Sequence, residues 1–156
     1  MPRTTRRIVL TETPRIPWDG LVLGWGAMLP FAALAGIAWG AGEPWPGLAR
    51  EAARLWAGAI LIFLSGVRRG LSFRTEGGPR AAQLVTFAVL FLSGAAILVL
   101  PPDWALPLGS LALAALAVAD PLAARSGAAP HYFARLRPAQ MGVAALAVAA
   151  CWAATG

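Results

Sequence analysis

Three charged residues stand out in this sequence because they interrupt or end long apolar stretches. Arg68 and Arg69 follow the uncharged stretch 55–67, and Asp120 follows the uncharged stretch 104–119. A charge near the centre of a membrane-spanning helix costs about 2.5–3.5 kcal/mol on insertion scales, so such residues usually have a partner or a function. These three residues are therefore the first candidates for a ligand site or for an ion pair between helices.

Two interpretations of this charged group are open from the sequence. In the first, Asp120 pairs with Arg68 or with Arg69 across two helices, since all three are expected near the same end of their helices. Such a pair would lower the cost of burying both charges, and removing either partner would strand the other. In the second, the arginines extend to lipid phosphates and Asp120 helps to end its helix in water.

A second group of candidates lies between Arg125 and Pro138, where aromatic rings alternate with arginine. This composition suits a segment that lies along the membrane surface, with Tyr132 and Phe133 dipping into the bilayer. We expect contacts with anionic lipid headgroups on the cytoplasmic side, or with a partner protein, from His131, Tyr132, Arg135 and Arg137.

The sequence lacks the motifs of common enzyme classes: it has no His-Glu-x-x-His, no Gly-x-Ser-x-Gly and no glycine-rich phosphate loop with its Lys. One Cys and one His are too few for a disulfide framework, a zinc site or a haem held by two histidines. An enzyme acting on lipid would have only Asp120, His131, Tyr132 and Arg137, which no spacing joins. We therefore expect a non-enzymatic protein with no catalytic residue, no metal and no cofactor, and no nucleic acid as a partner.

The composition indicates that the elements positioning these residues lie in lipid. The chain of 156 residues is 58% hydrophobic and only 13% charged, whereas soluble domains carry about 25% charged residues. Uncharged stretches at 20–42, 81–102 and 138–156 are each long enough to cross a bilayer as a helix. We predict an all-α integral membrane bundle of five transmembrane helices at approximately 20–42, 51–73, 81–101, 103–124 and 138–155. A basic tail, 1–17, precedes this single membrane domain, 18–156.

The distribution of arginine predicts the orientation of the bundle. With five crossings, eleven of the 13 arginines lie on the side of the N-terminus, and Arg50 and Arg54 are the two on the other side. If the second stretch did not cross, four would lie on the N-terminal side and nine opposite. Because arginine in short loops stays in the cytoplasm, we expect five crossings, a cytoplasmic N-terminus and an external C-terminus in a bacterial inner membrane.

Small residues and a proline predict how the helices pack. Gly24 in the first predicted helix, and Gly66 with Gly70 in the second, are spaced for close helix–helix contact. Pro30 lies in the middle of the first predicted helix and removes one backbone hydrogen bond, so we expect a bend there.

Several of these segments resemble the transmembrane protein 69-like family (domain of unknown function 3429), small multi-pass inner-membrane proteins of proteobacteria and mitochondria. The resembling segments are 23–31, 62–71, Asp120 and 130–137, and the resemblance extends over nearly the whole chain beyond Pro17. At the second of them the family typically reads Gly-Gly-Ile-(Arg or His)-Trp-Gly. Arg68 fits this pattern, whereas Arg69 stands where the family has Trp, so a role of that ring does not carry over.

The family has no settled biochemical role, and the resemblance implies an accessory or assembly role beside a respiratory complex. The leading hypothesis is accordingly a non-enzymatic accessory subunit or assembly factor that binds a protein partner within the bilayer. The alternative is a small carrier, or a lipid- or anion-binding protein, that uses Arg68, Arg69 and Asp120 and needs a water-accessible cavity at their depth.

Overall fold

The computed structural model describes residues 15–154, and every regular element in that range is an α-helix. The helices are α1 (Trp18–Gly26), α2 (Leu29–Gly40), α3 (Trp45–Ser72), α4 (Ala81–Val99), α5 (Pro102–Arg125) and α6 (Phe133–Ala153). Helices α1 and α2 together form one apolar segment, so the described residues contain five segments long and apolar enough to span a membrane. The predicted all-α class with five spanning helices is confirmed, and the chain is a multi-pass membrane protein. Most of the predicted tail, residues 1–14, lies outside the described residues.

The first span is divided in two at the position of the predicted bend. Pro30 is the second residue of α2 and has no amide hydrogen to donate to the carbonyl of Gly26. The chain turns at residues 27–28, where the amide of Met28 donates to the carbonyl of Trp25 at 2.9 Å. The indole Nε1 of Trp56 in α3 donates to the carbonyl of Ala27 at 3.0 Å. This carbonyl, which lies between α1 and α2, therefore has a hydrogen-bond partner.

Two helices begin earlier than the apolar pattern indicates. Helix α3 begins at Trp45 rather than near residue 51, and α6 begins at Phe133 rather than at residue 138. Proline is well tolerated in the first turn of a helix, and Pro46 lies at the second residue of α3. Arg50 separates the α3 extension from the apolar part of that helix, and Arg135 and Arg137 lie within the α6 extension, which is why a search for uncharged intervals does not include them.

The core lies mainly between α3, α5 and α6. Helix α5 packs along α6, and α3 packs along α4 on one side and α2 on another, whereas α1 contacts only α2 and α6 among the described helices. The largest fully buried apolar side chains are Phe31, Leu61, Ile97, Leu106, Leu113, Met141 and Val148. Because α1 makes no extensive contact with α3, a lateral crevice remains between these two helices.

Side-chain hydrogen bonds to backbone carbonyls join the helices at one end of the bundle. The Nη1 of Arg54 in α3 donates to the carbonyls of Ile97 and Leu98 at 2.9 and 2.6 Å, at the last turn of α4. The last four carbonyls of a helix have no amide partner within that helix, and these two carbonyls are among them. The indole Nε1 of Trp39 donates to the carbonyl of Ala150 in α6 at 2.9 Å. The loops 73–80 and 126–132 lie together with the start of α1 at the other end, which we call the basic end.

A close contact between two helices lies at glycines other than the predicted ones. A Cβ added at Gly66 or Gly70 would meet nothing within 4 Å, so the close approach expected at these two residues is not present. Helices α3 and α4 instead approach at Gly58 and Gly94, where a Cβ on Gly94 would lie 2.9 Å from the carbonyl oxygen of Gly58. Gly66 and Gly70 have the small-xxx-small spacing, but that spacing alone does not say which face of a helix meets a neighbour.

Candidate functional site

The carboxylate of Asp120 links three spanning helices near the basic end. Its Oδ1 accepts a hydrogen bond from Nη2 of Arg68 in α3, and its Oδ2 lies 3.5 Å from Nε of Arg137 in α6. Asp120 itself is 3% exposed, and the side chains of both arginines are 13% exposed. We call Arg68, Asp120 and Arg137 the buried triad.

Helical periodicity explains why these polar residues face inward. On α5, Asp120 follows the buried Leu113 and Leu116 at helical spacing. On α3, Arg68 lies three residues after the buried Ser65 and four before the buried Ser72. The triad therefore lies in line with the apolar core, at its basic end. The helices there are joined by the ion pair of Arg68 with Asp120, with Arg137 as a second nearby cation, rather than by hydrophobic packing.

The carboxylate is enclosed rather than lining a water-filled passage. The space between the triad and its apolar neighbours amounts to about 10 Å³, which is at the lower limit for a single water molecule. Arg68 also borders a recess of about 190 Å³ that opens at the basic end, but Asp120 does not. Within the described residues, the structure thus shows a tightly packed charge cluster and no cavity at Asp120 large enough for a substrate.

Of the two candidate partners for Asp120, the structure pairs it with Arg68. Arg69 lies on another face of α3, where its guanidinium carbon is 4.2 Å from the centre of the Phe73 ring and its Nη1 donates to Oγ of Ser72 at 3.1 Å. Each of the two arginines therefore has a protein contact within the described residues.

The second candidate group is divided between the surface and the core. His131 and Arg135 are exposed at the basic end, as expected for residues that contact headgroups. Phe133 is buried, and the guanidinium carbon of Arg137 lies 4.5 Å from the centre of its ring. Arg137 therefore points inward to the triad rather than along the membrane surface, because α6 begins at Phe133 and puts both residues on its core-facing side. Tyr132 packs its ring against the edge of Phe133 at 5.0 Å.

A polar recess that sequence reasoning missed lies at the basic end. It has a volume of about 280 Å³ and lies between loop 73–80 and loop 126–132; its charged lining residues are Arg74, Glu76 and Arg80. Hydrogen bonds of 2.9 Å from Gln83 Nε2 to Thr75 Oγ1, and from the Arg80 amide to Gln83 Oε1, hold one wall in place. The arginine count of these loops was visible in the sequence, but their meeting depends on how α3, α4 and α5 pack.

The lateral crevice contains a second feature missed in the sequence. It has a volume of about 740 Å³ and is bounded mainly by apolar side chains of α1, α3 and α6. Gln140 in α6 lines it and is 1% exposed, yet its amide Nε2 has no hydrogen-bond partner among the described residues. The one sequence signal is the spacing of Gln140, three residues after Arg137 in an otherwise apolar helix.

Gly24 explains how the amide fits between the helices. A Cβ on Gly24 would lie 2.3 Å from Nε2 of Gln140, so with any other residue at this position the end of the Gln140 side chain would have to move. The predicted role of Gly24 in helix packing stays a prediction, and the neighbour that the structure places beside it is a polar side chain rather than another helix backbone.

Comparisons with known proteins provide no assignment: no family model, no curated protein and no solved structure matches this chain. Within residues 15–154, no group of three or more His, Cys, Asp or Glu side chains could hold a metal ion.

Proposed function

We propose that this protein is a non-enzymatic accessory or assembly factor that binds a partner complex within the membrane and stabilises it. The main support for the proposal is that the charged residues of the protein form two groups, one inside the bundle and one at its surface. The charges at the depth of the triad interact with one another inside the bundle, whereas the polar recess at the basic end presents Arg74 and Arg80 to the outside. A rigid bundle with an outward-facing basic recess is suited to binding rather than to turnover.

The alternative, a carrier that uses Arg68, Arg69 and Asp120, has less support. A carrier site requires that water or substrate reach the charged groups, and Asp120 is enclosed with about 10 Å³ of free space. Arg69 does not join Asp120 but contacts Ser72 and Phe73. The enclosed triad favours a structural role for these charges.

The membrane and the orientation are part of the proposal. The arginine distribution supports a bacterial inner membrane with the basic end in the cytoplasm, which would expose the recess to cytoplasmic or membrane-surface segments of a partner. The resemblance to the transmembrane protein 69-like family, shared by bacteria and mitochondria, supports a respiratory complex as that partner. An acidic segment of the partner would complement the arginines of the recess.

Charge reversal in the recess is expected to release the partner. Arg74→Glu replaces an exposed cation that lines the recess and should reduce co-migration with a large complex by at least about tenfold, because like charges repel across an interface. The measurement is native gel electrophoresis of protein purified in mild detergent from its own membranes. The matched control is Arg125→Glu, since Arg125 is also exposed at the basic end but does not line the recess.

The same experiment can contradict the proposal. If the unaltered protein migrates alone as a homogeneous particle, it has no stable partner and the proposal is wrong. Equal loss of co-migration in the Arg74 and Arg125 variants would show that the recess is not the contact.

A further inference from the structure

The lateral crevice differs from an ordinary lipid-facing groove because a buried polar group lies in its wall. Outward-facing apolar side chains are normal in a spanning helix and need no specific ligand. Gln140, in contrast, is 1% exposed and its Nε2 lacks a hydrogen-bond partner among the described residues. A buried amide donor without an acceptor destabilises the folded protein, so an acceptor supplied by a ligand in the crevice would remove that cost.

A second group in the same wall indicates the charge of that ligand. Arg137 lines the crevice as well as the triad, and its Nε lies 3.5 Å from Oδ2 of Asp120. The triad holds two guanidinium groups and one carboxylate, so its formal charge is one positive unit in excess. An anionic group beside Arg137 would balance that charge.

The spacing of the two groups along α6 matches a lipid lying in its normal orientation. Arg137 is four residues into α6, about 6 Å from its start, and Gln140 lies about 4.5 Å deeper, at ~1.5 Å per residue. In a glycerophospholipid the phosphate lies at the membrane surface, the ester carbonyls follow on the glycerol, and the acyl chains extend inward. The same order runs along the crevice, from Arg137 through Gln140 to the apolar side chains of Met28, Ile60 and Leu64.

We propose that the lateral crevice between α1, α3 and α6 is a binding site for one anionic glycerophospholipid. Its phosphate contacts Arg137, a carbonyl oxygen of an acyl ester accepts a hydrogen bond from Nε2 of Gln140, and one acyl chain fills the apolar part of the crevice. Gly24 leaves room for the amide, since a Cβ there would lie 2.3 Å from its Nε2. The bound lipid also covers the loosely packed α1, which contacts only α2 and α6 among the helices that the structure describes.

Lipid titration of the purified, delipidated protein by native mass spectrometry tests the proposal. We expect a single phosphatidylglycerol molecule to bind, about fivefold more tightly than phosphatidylcholine, as one basic residue near a membrane surface contributes about that factor. Gln140→Leu should weaken phosphatidylglycerol binding about two- to tenfold, the range of one net hydrogen bond.

A matched pair of tryptophan substitutions locates the site. Val22→Trp places a large ring in the crevice and should abolish the single bound lipid, whereas Val85→Trp, on the outer side of α4, should leave it in place. Val22 and Val85 each lie four residues after the start of their helix at the basic end, and both are substantially exposed. Equal midpoints of thermal unfolding for the two variants would show that the difference comes from occupancy and not from folding.

Three results would overturn the assignment. Equal lipid retention by the Val22 and Val85 variants would indicate non-specific surface lipid. Equal affinity for phosphatidylglycerol and phosphatidylcholine would remove the role of Arg137 in charge selection. Displacement of the lipid by ubiquinone at equal concentration would show that a carbonyl-bearing ring without a phosphate is the better occupant.

Discussion

Replacement of Asp120 by alanine is expected to reduce the free energy of unfolding by about 3–5 kcal/mol, the loss found when one partner of a buried ion pair is removed. The carboxylate is 3% exposed and lies between Arg68 and Arg137. Without it, two guanidinium groups would face each other in the packed interior with no counter-charge. The measurement is reversible unfolding of the purified protein in mixed micelles, followed by helical circular dichroism.

Asp103→Ala is the control for this prediction. Asp103 also pairs with an arginine, Arg50, at 2.5 Å, but its side chain is 70% exposed. Exposed pairs contribute about 0–1 kcal/mol, so this variant should remain close to the unaltered protein. A loss for Asp120→Ala no larger than that for Asp103→Ala would show that the triad is hydrated rather than enclosed.

Gly94→Ala is expected to reduce the free energy of unfolding by about 1–3 kcal/mol, the usual range for overpacking. Its Cβ would lie 2.9 Å from the carbonyl oxygen of Gly58 and 3.0 Å from the amide nitrogen of Ile62. Both atoms belong to the backbone of α3 and cannot turn away as a flexible side chain would. Helices α3 and α4 would have to separate, and the measurement is the same unfolding experiment.

Gly66→Ala provides the matched control, because a Cβ at Gly66 meets nothing within 4 Å. Alanine has a higher helix propensity than glycine by about 1 kcal/mol, so this variant should be unchanged or slightly stabilised. Destabilisation of similar size in both variants would mean that the α3–α4 contact is not at Gly58 and Gly94.

The number of spans was predictable because apolar length and the location of arginine are both properties of the linear sequence. Helix boundaries were less accurate where a helix extends beyond a charged residue, as α3 extends beyond Arg50 to Trp45. Arg50 and Arg54 both lie in the first three turns of this helix. Their contacts involve the last carbonyls of α4 and Asp103 at the start of α5. No local pattern reveals that these segments meet.

Part of the candidate site could also be predicted. A carboxylate and an arginine at similar depth in an apolar setting have a strong reason to pair, so a pair between Asp120 and Arg68 or Arg69 was one of the two interpretations that the sequence left open. The choice of Arg68 over Arg69 depends on the rotation of α3, and the inclusion of Arg137 depends on α6 beginning at Phe133. Gln140 drew no attention in the sequence because its importance comes from burial and from Gly24 opposite, which only packing shows.

The central claim is that the charges inside the bundle form an enclosed structural cluster, and a double-mutant cycle between Asp120 and Arg68 tests it most directly. Asp120→Asn, Arg68→Met and the double variant would be compared by unfolding in mixed micelles. Direct contact at a buried site predicts a coupling free energy of about 2–3 kcal/mol, with the double variant far more stable than the sum of the single losses implies. A coupling below about 0.5 kcal/mol, as for independent sites, would contradict the claim.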